Sequence, residues 1–365
     1  MSAADRAPEY IRAISPYVAG KPTSELAREL GLEEASIVKL ASNENPLGMS
    51  PKAQVAAQAA LADLGRYPDS NGFALKQALC RKYGVKMDQL VLGNGSNDLL
   101  DLAARAFLGP GSSAVYSQHS FAVYSIATLA AGAERIEVPA KAYGHDLAAM
   151  AAAIRRDTRL VFIANPNNPT GTYLSPGEIE AFLEQCPRDI VVVLDEAYNE
   201  YMRPEQRFNA LAWMTRFPNL VVLRTFSKIY GLAGLRIGYA VANPAVADLF
   251  NRVRAPFNAN SVALAAAEAA IDDVAFLEES YRVNQEGMRQ IEEGVAKLGL
   301  EVIPSSANFL TINVGDGMAV FQGLLRVGVI VRAIPSMPQW IRVTIGTPAE
   351  NARFLEALAT ILKKG

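Results

Sequence analysis

The chain has 365 residues, half of them hydrophobic and a fifth charged. At about 150 residues per domain, that is material for roughly two globular domains with large cores. Lys and Arg total 35 against 37 Asp and Glu, a formal net charge of −2. This balance excludes a general nucleic-acid binder, whose phosphate contacts need a basic surplus.

No stretch approaches the roughly 18 unbroken apolar residues of a membrane span, and MSAADRAPEYIRAISPYVAG has no signal-peptide core. Cys80, Cys186, His119 and His145 match no metal or redox spacing. No metal is expected, and two free thiols suit a cytoplasmic protein.

The first forty or so residues show no core pattern and read as an arm. Ser50-Pro51 has the form of an N-cap followed by proline at the first helical position, opening an Ala-rich helix that stops near Gly65. FALKQALCRKY predicts a second helix, ending at Gly84. QLVL (89–92) predicts a strand, and LLDLAARAFL (99–108) a helix beyond a glycine-rich turn. Next come SSAVYS, ERIEV, RLVFIA, DIVVVLD and NLVVL, separated mostly by helical patterns over 120–131, 146–156 and 175–185. Such short runs without polar alternation suit strands covered by helices on both faces. The series predicts an α/β fold with a mostly parallel central sheet sandwiched by helices.

After about Pro256 a long helical region (261–299) gives way to FLTINV, Gly328–Arg332, IRVTIG and a closing helix AENARFLEALATILKK. That texture suits a smaller α+β domain. The expected division is an arm over 1–39, a large domain over 40–255 and a small C-terminal domain over 256–365.

Four segments carry chemistry. Gly93-Asn94-Gly95-Ser96-Asn97 lies between a strand and a helix. Glycines there let backbone N–H groups and the helix dipole meet an anion, although taken singly the segment is equally a tight turn. Asn165-Pro166-Asn167-Asn168-Pro169-Thr170-Gly171 follows a strand directly, where open α/β sheets place ligands. Asp195 closes DIVVVLD, a costly place for a carboxylate without a cation, and Tyr198 stands three residues on. Finally, Lys228 follows NLVVL and precedes a glycine-rich turn with Arg236 eight residues later.

In this order, GNGSN, NPNNPTG, DEAY and SKIYGLAGLRIG resemble the fold-type-I pyridoxal-phosphate (PLP) aminotransferases of class I/II, with the histidinol-phosphate aminotransferase branch the most similar. Tyr17 to Pro22 resembles that branch's arm, and KLASNENPLG (39–48) and Tyr67-Pro68-Asp69 resemble further segments. Gly328–Arg332 and IRVTIGTPAEN resemble its C-terminal signature, so the match extends along nearly the whole chain.

The resemblance implies that Lys228 forms a Schiff base with the cofactor and then moves the substrate proton. It implies that Asp195 pairs with the pyridinium nitrogen, and that Asn168 and Tyr198 bond the phenolic oxygen. Gly95, Ser96, Asn97, Thr225, Ser227 and Arg236 would hold the cofactor phosphate, with Asn97 standing where the family often has an acidic residue. Phe121 would stack on the ring, with Tyr124 beside it. Arg332 and Arg342, with Tyr17, Asn45 and a Tyr67 from a second subunit of a homodimer, would surround the substrate.

The activity implied is amino transfer between L-histidinol phosphate and 2-oxoglutarate, giving imidazole-acetol phosphate and L-glutamate in histidine biosynthesis. An aromatic amino-acid aminotransferase or a threonine-phosphate decarboxylase-like lyase would use the same scaffold.

Overall fold

The computed structural model describes residues 2–363. Its strands are β1 (Val38–Lys39), β2 (Leu90–Gly93), β3 (Ser113–Ser117), β4 (Glu134–Val138), β5 (Thr158–Ala164), β6 (Val191–Asp195), β7 (Leu220–Thr225) and β8 (Gly238–Ala242), followed by β9 (Val302–Ile303), β10 (Phe309–Asn313), β11 (Val329–Ile330), β12 (Arg332–Ala333) and β13 (Trp340–Thr344). Seven of them form the central sheet in the order β2-β8-β7-β6-β5-β3-β4. β8 alone runs opposite to the other six, so its pairings with β2 and β7 are the antiparallel ones.

Strand alternation divides the core around this sheet. Val161, Ile163, Val192 and Leu194 face one buried cluster, while Leu160, Phe162, Val191 and Val193 face the other. Both faces are covered, which is why these strands lack polar alternation. β4 differs from the expectation of a doubly covered strand. It is the sheet edge, and Glu134, Arg135 and Glu137 are exposed there. Charges on an edge discourage pairing with another chain.

Helix starts follow local chemistry. Ser50 accepts a hydrogen bond from Ala53 N–H ahead of the helix Pro51–Ala60, and Gly84, at φ +69°, ends Phe73–Tyr83. The long helical region is two helices, Ser261–Ile271 and Val274–Lys297. They break at Asp272 and Asp273, and the buried Asp273 pairs with Lys52 at 3.2 Å. The closing helix is Pro348–Leu362, capped by Thr347; Lys364, its expected last residue, lies outside the described residues.

β8 was not expected from the sequence. Its residues GYAVA begin at glycine directly after a glycine-rich turn, and small residues are weak strand formers. The arm, too, is more anchored than expected. Leu26 is buried against Ala41, Leu325 and Ile330, and β1 pairs in parallel with β11.

A second sheet has the order β12-β13-β10-β9, all antiparallel. Leu310, Ile312, Ile341 and Val343 pack on Ile291, Val295, Phe354 and Leu358. The opposite face of β13 carries Arg342 and Thr344, because strand side chains alternate. No helix among the described residues is long and apolar enough to cross a membrane.

Candidate active site

From β3 the chain passes outward to β4 and then returns to the other side of β3 as β5. Open α/β sheets bind ligands at the strand carboxyl ends beside such a reversal. Here Ser117, Ala164, Asp195 and Thr225 end β3, β5, β6 and β7, and a cavity of about 700 Å³ opens beyond them.

Lys228 reaches the cavity from the loop after β7, and its Nζ donates to Ser42 O at 3.0 Å. Burial, then the nearby Arg342 guanidinium, pulls this amine down to about 7. Asp195 is buried at the end of β6 and accepts from Tyr124 Oη at 2.9 Å and Ala197 N–H at 3.2 Å. Burial nevertheless lifts its carboxyl to about 6, against the lowering effect of those two bonds. Tyr198 lines the same wall, its ring centroid 5.7 Å from Lys228 Nζ, and its hydroxyl accepts from Asn43 Nδ2 at 2.9 Å.

At one end, Ser96 and Asn97 open the helix Ser96–Phe107 beside Thr225, Ser227 and Arg236. Arg236 takes φ +58° and donates to Ala233 O at 2.9 Å and Ser227 Oγ at 3.4 Å. Gly95 lies behind it, at φ +83°, where a Cβ would come within 2.5 Å of Arg236 Nη2. A helix N-terminus, hydroxyls and one guanidinium thus converge, the donor set that holds a phosphate.

Toward the second sheet, Arg332 and Arg342 face each other across the β12–β13 pair. Arg342 donates to Asn168 Oδ1 and, at 2.7 Å, to Ala41 O, while its Nε has no partner. Burial holds its pKa below the ordinary guanidinium value. Arg332 donates to Val18 O at 2.6 Å and lies 5.5 Å from the Tyr17 ring centroid, so the arm closes over it. Phe121 meets Tyr17 and Tyr124 edge-on at 6.4 and 5.9 Å. None of Lys228, Arg236, Arg332 and Arg342 forms an ion pair among the described residues. Three guanidinium groups without a counter-ion, beside a buried lysine amine, are a demand for anions.

Two expected substrate residues lie elsewhere. Asn45 is turned away from the cavity: its Nδ2 donates to Ile229 O at 2.7 Å and Ser280 Oγ at 2.9 Å, which braces the turn beside Lys228. Tyr67 is 82% exposed and stacks on Phe257 at 4.6 Å, outside this cavity. Tyr124 does line the cavity, but its hydroxyl is committed to Asp195. Conversely, Ala41, Ser42 and Asn43 contact Arg342, Lys228 and Tyr198 in turn. Their signals in the sequence were the turn-forming run SNENP and the resemblance of KLASNENPLG, neither of which singled them out as contacts.

The profile of the family Aminotransferase class I and II matches residues 35–358. Histidinol-phosphate aminotransferase 1 of Cupriavidus pinatubonensis is 61% identical over 98% of this chain and 96% of its own length. The enzyme of the same name from Dechloromonas aromatica is 61% identical over 99% of this chain and 100% of its own. In three dimensions the chain is similar to histidinol-phosphate aminotransferase of Sinorhizobium meliloti, crystallised with pyridoxal-5'-phosphate. That likeness has a TM-score of 0.92 and 29% identity, over 100% of this chain and 99% of that one. An aspartate aminotransferase mutant of Thermus thermophilus, 23% identical with a TM-score of 0.83, shares the fold across 97% of this chain and 99% of its own. With its motifs in family order and its profile match running almost end to end, this chain belongs to the class I and II aminotransferases.

Proposed function

We propose that the chain is a PLP-dependent histidinol-phosphate aminotransferase, exchanging amino groups between L-histidinol phosphate and 2-oxoglutarate in histidine biosynthesis. The observation that carries this reading is the opposed pair Arg332 and Arg342, in one cavity with the buried Lys228 and Asp195. Full-length similarity to enzymes of that name supports the choice of substrate.

The residues fit PLP on chemical grounds. Asp195 is a buried carboxylate with no cation bonded to it, and a protonated ring nitrogen would supply one. Ser96, Asn97, Thr225, Ser227 and Arg236, backed by Gly95, would hold the cofactor phosphate. Phe121 would flank the ring, while Asn168 and Tyr198 would serve its phenolic oxygen. When bound, PLP supplies an aldehyde carbon that carries the amino group and a ring that spreads the negative charge left by a departing proton.

Lys228 supplies the amine that bonds the cofactor and then accepts and returns the substrate proton at Nζ. An amine lowered to about 7 is neutral often enough to do both near neutral pH. Asp195 keeps negative charge beside the ring nitrogen. Arg342 offers a planar fork to a carboxylate, and Arg332 adds a second guanidinium for a phosphate ester. One site can therefore accept glutamate and histidinol phosphate in turn.

The proposed division is an arm (1–39) that contributes to the small domain and dimer contacts, a cofactor domain (40–255) and a small domain (256–365). We further propose a cytoplasmic homodimer in which the exposed Tyr67 reaches the neighbouring site. The free thiols Cys80 and Cys186 are in keeping with a reducing compartment.

Borohydride reduction of the yellow, PLP-loaded protein followed by peptide mass mapping tests the assignment. The cofactor mass is expected on the peptide containing Lys228. Label on another lysine, or a protein that takes up no PLP, would refute it.

A further inference from the structure

The hydrogen bonds around Asn43 fix the direction of a proton at the cavity wall. Asn43 is buried, with φ +55°, a left-handed conformation that asparagine tolerates better than most residues. Its backbone N–H donates to Thr344 Oγ1 at 2.9 Å. The single proton of that hydroxyl is then given to Asn43 Oδ1 at 3.1 Å. With its oxygen held by Thr344, the amide must turn its nitrogen to Tyr198, where Nδ2 donates to Oη at 2.9 Å. Asn308 Nδ2 secures the same residue by donating to Asn43 O at 3.1 Å. Tyr198 Oη is thus an acceptor toward the protein, and its own proton meets no acceptor among the described residues. Only the cavity side is left to it.

We propose that Asn43 is a positioning residue that compels the Tyr198 hydroxyl to donate into the cavity, onto the phenolic oxygen of the cofactor. This rests on the reading of Tyr198 as a cofactor contact given above. Burial pushes the Tyr198 phenol up to about 12, so the proton is present to be donated near neutral pH. With the amide turned over, Oδ1 would take that proton and the cavity would lose a donor. Thr344 lies two residues from Arg342 on β13. The strand that carries an anion-binding arginine therefore also sets the tyrosine's hydrogen bond.

A donor on the phenolic oxygen stabilises its negative charge, and this lowers the pH at which the visible band of the PLP-loaded protein titrates. That midpoint is to be measured for wild type, Tyr198→Phe, Asn43→Gly, Asn43→Asp and the double variant Asn43→Gly/Tyr198→Phe, which adds no charge, with cofactor content and far-UV circular dichroism as controls. Glycine removes the amide while tolerating the positive φ. Aspartate keeps the shape but accepts from Tyr198, so the test survives if the glycine variant folds poorly.

Tyr198→Phe is expected to raise the midpoint by about one unit, a tenfold change in the equilibrium. Both Asn43 variants should raise it in the same direction, and the double variant should go no further than Tyr198→Phe. Wild-type midpoints in the Asn43 variants beside a shifted Tyr198→Phe would overturn the role of Asn43 alone, as would fully additive shifts. An unshifted Tyr198→Phe would overturn the underlying reading of Tyr198 as well.

Discussion

Lys228 shows how position turns an ordinary side chain into a reagent. Its amine is buried away from water with the Arg342 guanidinium nearby, and together these outweigh the pull of Glu44 and Asp195, so the neutral form is favoured from about pH 7 upward. Between that value and the ordinary 10.5, the unfolded chain holds a proton that the folded chain has released. With cofactor removed, the lysine therefore destabilises the fold in full below about pH 7, and the penalty fades as pH rises toward 10.5. Cofactor-free Lys228→Met should melt several degrees above cofactor-free wild type at about pH 6, with the gap closing by about pH 10. A gap that ignores pH would show that the amine is not desolvated as described. Asp195 was legible in the sequence as a carboxylate closing an apolar strand, and Lys228 through the resemblance of the motif around it, three residues beyond β7. Asn43 was not legible as a site residue. Its role depends on Thr344 and Tyr198, 301 and 155 positions away.

Among the elements, the packing of β8 against the helix Ser96–Phe107 decides whether the anion cradle forms. A Cβ at Gly238 would lie 2.6 Å from Ser96 N and 2.9 Å from Gly95 C, both backbone atoms that cannot swing aside. Gly238→Ala should displace the helix start and weaken PLP affinity at least tenfold, read by fluorescence titration of cofactor-free protein, while far-UV circular dichroism stays close to wild type. Unchanged affinity would detach the helix start from phosphate binding. The parallel strands of the central sheet and most of the helices around it were readable from periodicity and turn residues, whereas the helix Pro244–Val253 was not expected. β8 was not, since a glycine-led, alanine-containing strand has little local signal and is defined by pairing with β2 and β7. The resemblance placed Arg332 and Arg342 around one substrate, but nothing local in the sequence showed how they pair. Ten residues apart in sequence, they meet only through the antiparallel register of β12 and β13.

For the molecule as a whole, one cavity draws on the arm, on the carboxyl ends of the central sheet and on the second sheet, so its balance of charge is local. A net charge of −2 gave no hint of the three unpaired guanidinium groups and the buried lysine gathered there. In the proposed homodimer the exposed Tyr67 would extend the site into the neighbouring subunit, and complementation can test that. Lys228→Ala and Tyr67→Ala, each impaired alone, should regain activity when unfolded together and refolded as a mixture. A mixed dimer would have one site with an intact lysine and an intact neighbouring tyrosine. No recovery, with mixed dimers demonstrated, would remove Tyr67 from the neighbouring site.

The most direct measurement is amino transfer to 2-oxoglutarate, as kcat/KM, from L-histidinol phosphate and from phenylalanine under the same conditions. Two opposed guanidinium groups reward a phosphate ester over an apolar ring, so histidinol phosphate should lead by at least about tenfold, some 1.4 kcal/mol. An equal or greater value for phenylalanine would contradict the substrate assignment, and transfer from neither would contradict the aminotransferase reading itself.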